Sequence, residues 1–150
     1  MASHDEVPLP DLMRGARDAY RDAVRRALAD AGCDDIPRNG AFVLSGLAAF
    51  ESDFSPQADV VASLGLSKQG ASQLIDALVL RGYVERRIDP EDRRRMGVRL
   101  TPRGRRAATA IRAAIDEVEA AVTELITADQ LQALRAGLAA FTEIGAQPHN

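Results

Sequence analysis

The chain has 150 residues, a length that fits one domain, and its formal net charge is −3. A net negative charge by itself argues against a nucleic-acid-binding protein, but the charges are unevenly distributed. Residues 81–106 contain ten arginines and four acidic residues, a net charge of +6, so the rest of the chain carries −9. This asymmetry predicts one face that attracts a polyanion and an acidic body that keeps the protein in solution.

Several classes of protein are disfavoured by the sequence. Cys33 is the only cysteine, so no intrachain disulfide can form, as expected in a reducing cytoplasm. No apolar run approaches the ~20 residues of a membrane span, and the N-terminus lacks a signal-peptide core. The two histidines, His4 and His149, lie at opposite ends, and no phosphate loop or nucleophile elbow occurs. We therefore expect a cytoplasmic protein that is not an enzyme and uses no cofactor or metal.

The N-terminal third is predicted to be helical after a short leader. Residues 1–10 read as a flexible leader ended by prolines, and residues 11–31 as a first helix ended by Gly32. A loop then leads to a short apolar helix at residues 40–51. The apolar side chains of these two helices are Leu12, Ala16, Ala19, Tyr20, Ala23, Val24, Ala27 and Leu28 in the first, and Phe42, Val43, Leu47 and Phe50 in the second.

Residues 56–81 have the pattern of a helix-turn-helix. Ser55 and Pro56 are typical of a helix start, and Gly65 separates this helix from a second one with Ser67 as its N-cap. Arg81 and Gly82 are expected to end the second helix. Its buried face is predicted from apolar residues at helical spacing, which are Ala71, Leu74, Ile75, Leu78 and Val79.

The opposite face of the second helix is polar and carries Gln69, Ser72, Gln73 and Asp76. Glutamine amides can pair with adenine through a donor and an acceptor together, which suits a helix that reads the major groove. Taken alone, an ordinary surface helix with solvated glutamines explains this face equally well.

The next segment predicts a β-hairpin with a basic tip. Val84 and Ile88 alternate on one strand, and Met96, Val98 and Leu100 alternate on the returning strand. The turn opens at Asp89 and Pro90. Its tip holds four charged side chains, Asp92, Arg93, Arg94 and Arg95. Asp92 could hold one guanidinium while the others reach phosphates or a narrow minor groove. A helix followed by such a loop is the layout of a winged helix that binds duplex DNA.

The C-terminal part is predicted to contain two more helices. Thr101 and Pro102 cap a long helix to about residue 126, and Thr127 with Gln130 forms a capping box for the last helix. The long helix carries a heptad pattern, which is typical of pairing with a partner helix. The apolar positions are Ile111, Ile115, Val118, Val122 and Leu125 in the long helix, and Leu131, Leu134, Leu138, Phe141 and Ile144 in the last. Intrachain core is the alternative, but we favour a dimerisation layer built from both chain ends.

The motifs from the second helix to the end of the hairpin resemble the MarR family of bacterial winged-helix regulators. The resemblance rests on LVLRGYVER at 78–86, DPEDRR at 89–94 and LTPRG at 100–104, and it is specific between about residues 41 and 106. It implies one mainly α domain with a β-hairpin wing. In that domain residues 40–101 form the DNA-binding core, and residues 11–31 and 102–145 form the dimerisation helices.

The family resemblance also implies a function and a set of residues. It implies a homodimer that binds double-stranded DNA at a pseudo-palindromic operator, as a repressor that a small molecule releases. By position it assigns DNA contacts to Ser67, Lys68, Gln69, Ser72, Gln73, Asp92, Arg93, Arg94 and Arg95. An effector pocket would lie near Tyr20, Phe42 and Phe50, although these aromatic residues are also compatible with plain core. The alternative function is a winged helix that contacts only proteins, since one fold serves several functions.

Overall fold

A computed structural model describes residues 6–49 and 54–146 of the chain. These residues form six helices and three short strands, which confirms the predicted, mainly α, winged helix-turn-helix architecture. In chain order the elements are α1 (Leu9–Asp30), α2 (Gly40–Ala49), β1 (Ser55–Pro56), α3 (Gln57–Ser63), α4 (Lys68–Leu80), β2 (Val84–Ile88), β3 (Met96–Leu100), α5 (Pro102–Thr123) and α6 (Ala128–Ala146). His4, Phe50 and His149 lie outside the described residues.

The chain divides into two compact units, residues 1–115 and residues 116–150. The core of the first unit lies between α2, α4 and the sheet, and its fully buried side chains include Leu44, Ile75, Leu78, Val84 and Val98. The predicted apolar face of α4 is confirmed, because Ala71 and Leu74 are buried on the same side as Ile75 and Leu78. This packing leaves the polar side of α4 exposed.

The helix-turn-helix is shaped by two glycines and one serine. Gly65 and Gly82 have φ angles of +60° and +74°, a conformation that favours glycine, and they lie just before and just after α4. The Ser67 hydroxyl accepts the backbone N–H of Gly70 at 3.1 Å, so the predicted N-cap is confirmed. The start and the end of α4 are therefore fixed by local chemistry.

The hairpin is confirmed, and a third strand extends it. β2 and β3 pair antiparallel from Val84 opposite Leu100 to Ile88 opposite Met96. On the other edge of β3, Ser55 pairs with Val98, giving the strand order β1-β3-β2.

The prediction that Ser55 begins a helix was wrong. Ser55 is buried, Pro56 follows it in the edge strand, and α3 begins only at Gln57. Proline is tolerated in this strand because an edge position has no partner for its missing N–H.

The first helix begins earlier than the leader prediction suggests. α1 starts at Leu9, with Pro10 in its first turn, where the missing N–H of proline breaks no helical hydrogen bond. Ala23 and Leu28 are buried in the second half of the helix, whereas Leu9, Leu12 and Met13 are exposed. The predicted apolar stripe is therefore covered only over its C-terminal part.

The heptad pattern of α5 has two different environments. Ile111 is buried in the core of the first unit and Ile115 packs against that core, so the start of the pattern is intrachain core and not a seam awaiting a partner. Heptad spacing cannot distinguish these cases, because a helix packed on its own chain needs the same stripe.

None of the helices in the described ranges is both long and apolar enough to cross a membrane.

The second unit consists of the end of α5, a turn and α6. The predicted capping box is confirmed: Gln130 Oε1 accepts the Thr127 N–H at 2.8 Å, and Thr127 Oγ1 accepts the Gln130 N–H at 3.2 Å. Arg135 and Glu119 form an ion pair at 2.6 Å. The large apolar side chains of this unit that are exposed in the single chain, among the described residues, are Leu125, Leu134, Leu138, Phe141 and Ile144.

The close contact at Gly104 yields a test of the core. A Cβ at Gly104 would lie 1.9 Å from the backbone oxygen of Tyr83, so Gly104→Ala must move the start of α5 away from the wing. We expect the free energy of unfolding to fall by about 1–3 kcal/mol, measured by urea denaturation. Gly46→Ala is the matched control: a Cβ in α2 meets nothing within 4 Å and should raise stability by up to ~1 kcal/mol. Equal stability of the two variants would contradict the described packing at Gly104.

Candidate nucleic-acid interface

The recognition surface of α4 lies at its N-terminal end. Lys68, Gln69 and Gln73 are exposed, and Ser72 is half-buried. Residue 70 is a glycine whose backbone N–H donates to the Ser67 hydroxyl. This end of the helix therefore carries no large side chain at position 70. Three polar side chains and one ammonium group are thus presented on the side of α4 that faces away from the core.

The wing tip is held by two carboxylates that bind backbone. Asp89 Oδ1 accepts the N–H of Glu91 at 2.9 Å, and Asp92 Oδ1 accepts the N–H of Arg94 at 3.0 Å. Backbone hydrogen bonds from Asp89 to Arg95 and from Arg95 to Asp92 close the loop, at 3.0 and 2.9 Å. Asp92 therefore orients Arg94 by accepting the backbone N–H of Arg94. The sequence had suggested a different role, in which the Asp92 carboxylate holds a guanidinium. Short polar side chains commonly shape turns in this way.

The ten arginines of residues 81–106 do not all contribute to one basic face. Five of them pair with acids of the chain: Arg86 with Asp76, Arg87 and Arg99 with Glu85, Arg95 with Asp89, and Arg103 with Asp35. The hydrogen bond from Arg99, with the nearby charge of Arg87, lowers the pKa of Glu85.

In the part of the chain that the structure describes, the arginines of this stretch without such an ion pair are Arg81, Arg93, Arg94, Arg105 and Arg106, and two of them, Arg93 and Arg94, lie at the wing tip. Among the residues the structure describes, neither Arg93 nor Arg94 has a carboxylate within 4 Å, and both side chains are exposed. The attractive surface is therefore narrower than the net charge of +6 had indicated.

A cleft lies between α3, α4 and the wing. Its walls bring together five of the residues that the sequence assigned to DNA, namely Lys68, Gln69, Ser72, Arg94 and Arg95. Gln73, Ser67, Asp92 and Arg93 are not part of its lining. The lining residues that the sequence did not assign to DNA are Pro56, Gln57, Ala58, Val61, Ala62, Leu66, Arg86 and Met96. No sequence signal singled out Gln57, and Arg86 was visible only as one letter of the LVLRGYVER motif.

The base of the wing is tied to the loop before α2 and to the start of α5. The Tyr83 hydroxyl donates a hydrogen bond to Asp35, and the Arg103 guanidinium lies 4.4 Å from the centre of the Tyr83 ring. Arg103 also donates to Asp35 at 3.0 Å and to the carbonyl of Arg81 at 2.7 Å. The Tyr83 hydrogen bond lowers the pKa of Asp35, while burial and the carboxylate raise the pKa of Tyr83. This cluster holds the wing base in place.

Two of the three proposed effector residues, Tyr20 and Phe42, lie in the part of the chain that the structure describes. Tyr20 is half-buried in α1, and Phe50 lies outside the described residues. Phe42 is 59% exposed, because the buried positions of α2 are Gly40, Val43, Leu44 and Leu47 on the other side of the helix. The reading of Phe42 as plain core was therefore wrong.

Comparison with known proteins agrees with this geometry. The MarR family model matches residues 34–95, which extend from the loop before α2 to the wing tip. No curated protein sequence matches the chain.

Three solved structures illustrate the similarity of fold. The DNA complex of MepR from S. aureus is 22% identical, with a TM-score of 0.74 and coverage of 92% of this chain and 98% of that one. The repressor CouR bound to a 23-mer DNA duplex is 24% identical, with a TM-score of 0.69 and coverage of 90% and 92%. Apo MarR from E. coli is 21% identical, with a TM-score of 0.62 and coverage of 90% and 97%.

The recognition helix, the wing and the fold together define a winged helix-turn-helix protein. Over residues 34–95, which are 62 of its 150 residues, the chain is similar to the MarR family.

The unpaired arginines of the wing provide a direct test. Because Arg94 is exposed and its main chain is oriented by Asp92, we expect Arg94→Ala to weaken binding to a preferred DNA duplex by roughly 1–3 kcal/mol. Folding should be unchanged. Arg87→Ala is the control, because Arg87 is already paired with Glu85 and should contribute little. Fluorescence anisotropy with labelled duplex measures both variants, and an equal loss in both would refute a special role for the tip.

Proposed function

We propose that the chain is a homodimeric repressor that binds a pseudo-palindromic operator with α4 in the major groove and the wing in the adjacent minor groove. The cleft between α4 and the wing is the observation that carries the proposal. One of its walls presents Lys68, Gln69 and Ser72, and the facing wall presents Arg94 and Arg95. A DNA backbone seated between these walls would place base edges against α4 and a phosphate strand against the wing.

Each predicted DNA contact has a role that follows from its chemistry. Gln69 and Gln73 would pair with adenine, because an amide offers a donor and an acceptor to N7 and N6. Lys68, Ser67 and Ser72 would bind phosphate. Arg94 would enter the minor groove, with its backbone oriented by Asp92, and Arg93 and Arg95 would contact the flanking phosphates.

The second unit supports the homodimer. Leu134, Leu138 and Phe141 repeat along one side of α6, and Leu134 and Phe141 are 49% and 48% exposed in the single chain. An apolar surface of this kind costs free energy in water, and a second copy of the chain would cover it by two-fold symmetry. The same symmetry would place two recognition helices on successive turns of one DNA face, which is what a pseudo-palindrome requires.

Release by a small molecule is the remaining part of the proposal. Its support is the similarity to the MarR family, together with the exposure of Phe42 and the partial exposure of Tyr20, two aromatic side chains open to a ligand. Phe50 completes the predicted set from outside the described residues. A ligand that binds better to a conformation incompatible with DNA would lower operator occupancy in proportion to that difference in affinity.

In vitro selection from a random duplex library tests the function. We expect an enriched inverted repeat whose half-sites are centred about 10 base pairs apart, or a multiple of that spacing, because each subunit inserts one α4. The logarithm of the binding constant should fall linearly with the logarithm of salt concentration. A library that remains random after repeated rounds, with no salt-dependent binding, would show that the cleft is not a DNA site.

The dimer is tested on exposed residues, so that the fold of the single chain is unaffected. Leu134→Glu combined with Phe141→Glu should convert the dimer into a monomer, since a buried unpaired charge is costly. Operator binding should decrease in parallel. Gln132→Glu adds one negative charge at a polar, exposed position of α6 and should leave the mass unchanged. Light scattering gives the mass, and a double variant that remains dimeric would place the interface elsewhere.

A further inference from the structure

Arg86 connects three elements around the cleft. It lies in β2, and its guanidinium forms an ion pair with Asp76 of α4. Its Nε–H donates a hydrogen bond to Oε1 of Gln57, the first residue of α3, at 3.2 Å. The Arg86 side chain is only 28% exposed, whereas the tip arginines are exposed. One planar group thus contacts the recognition helix, the helix before it and the wing.

The charge of Arg86 is already compensated within the chain. Asp76 supplies a carboxylate directly, so Arg86 adds little net attraction for a phosphate. A guanidinium offers donors in a fixed plane, which makes it suited to holding two partners at a set angle. The contacts of Arg86 are therefore those of a structural brace and differ from those of the unpaired Arg93 and Arg94.

We propose that Arg86, held by Asp76 and Gln57, is a positioning residue that sets the separation of the two cleft walls, and so gives preference for the operator over random DNA. The inference rests on the proposed DNA-binding function. It explains why an acidic residue occurs on the exposed side of α4. Asp76 is 59% exposed on a helix that faces a polyanion, where its charge alone would oppose binding.

A bracing role of Asp76 and a purely electrostatic role predict opposite changes in operator affinity for Asp76→Asn. If only charge matters, removing an acid near DNA tightens binding to every sequence. If Asp76 holds Arg86 in place, the same change weakens operator binding, because the wing no longer has a fixed distance from α4 and the bound geometry must be selected. Binding to random duplex depends mainly on phosphate attraction and should stay equal or become tighter.

The experiment compares two probes, the duplex enriched by selection and a random duplex of equal length. Asp76→Asn should lose about tenfold in affinity for the enriched duplex and none for the random one. Arg86→Lys keeps the charge but cannot engage two partners in one plane, so it should show the same loss with an unchanged salt slope. The double variant should be no weaker than either single variant, because both changes break one unit. Glu91→Gln, an equal charge change at an exposed wing position, should not weaken binding.

The outcomes separate this inference from the function on which it rests. If the wild-type protein enriches no duplex, the proposed function itself is wrong. If the wild-type protein enriches a duplex and Asp76→Asn binds that duplex as tightly or more tightly, only the bracing role of Arg86 is wrong. Equal losses of Asp76→Asn on both duplexes, or a lower melting temperature that accounts for the loss, would assign the pair to stability and likewise overturn the proposal.

Discussion

The burial of the apolar face of α4 against β2 and β3 is the contact on which the rest of the site depends. Ile75 and Leu78 are fully buried there, next to Val84 and Val98 of the sheet. Because side chains in such a core interlock, the helix can neither rotate nor slide without opening a cavity. The polar side of α4 is therefore held in one orientation, and the strands of the wing contribute Val84 and Val98 to the same core. A rigid base of this kind is what allows exposed side chains to recognise a partner with defined geometry.

The exposed surfaces of the chain belong to two chemical types. The wing tip and the N-terminal end of α4 are polar and basic, and exposed groups of this kind are hydrated until a polyanion replaces the water and counterions. The side chains along α6 and the first turns of α1 are apolar, and water does not stabilise them. The first type suits a partner that binds and dissociates with conditions. The second type suits a partner that stays bound, which is why the proposed function assigns DNA and a second copy of the chain to different surfaces.

The features that the sequence predicted well are those that depend on neighbouring residues. The cap at Ser67, the capping box at Thr127 and the hairpin turn at Asp89 each involve groups within a few positions, so their residue types identify them. The buried face of α4 was readable because periodicity is also local.

The features that the sequence missed depend on distant pairing. Ser55 resembles a helix cap until β3 is placed beside it, 43 positions later in the chain. The division of the arginines into paired and unpaired groups was likewise invisible, because Asp76 and Arg86 belong to different elements. Ile111 fits a heptad equally well in a partner interface and in its own core. Among the site residues, those on one face of α4 could be predicted from the sequence. The residues that line the cleft could not, because they come from α3, α4 and the wing and meet only in the folded chain.

Five of the ten arginines of residues 81–106 are paired with acids of the chain. This pairing has a consequence for how a DNA-binding protein would search a genome for its operator. A chromosome offers millions of competing sequences, and each cation available to phosphate lengthens the time a protein remains on the wrong ones. A chain that neutralises Arg86, Arg87 and Arg99 with its own carboxylates keeps fewer cations for that purpose. Under the proposed function, this pairing would shorten the residence of the protein on unrelated DNA. The acids placed among the arginines would thus favour rapid sampling of sequences over tight non-specific binding.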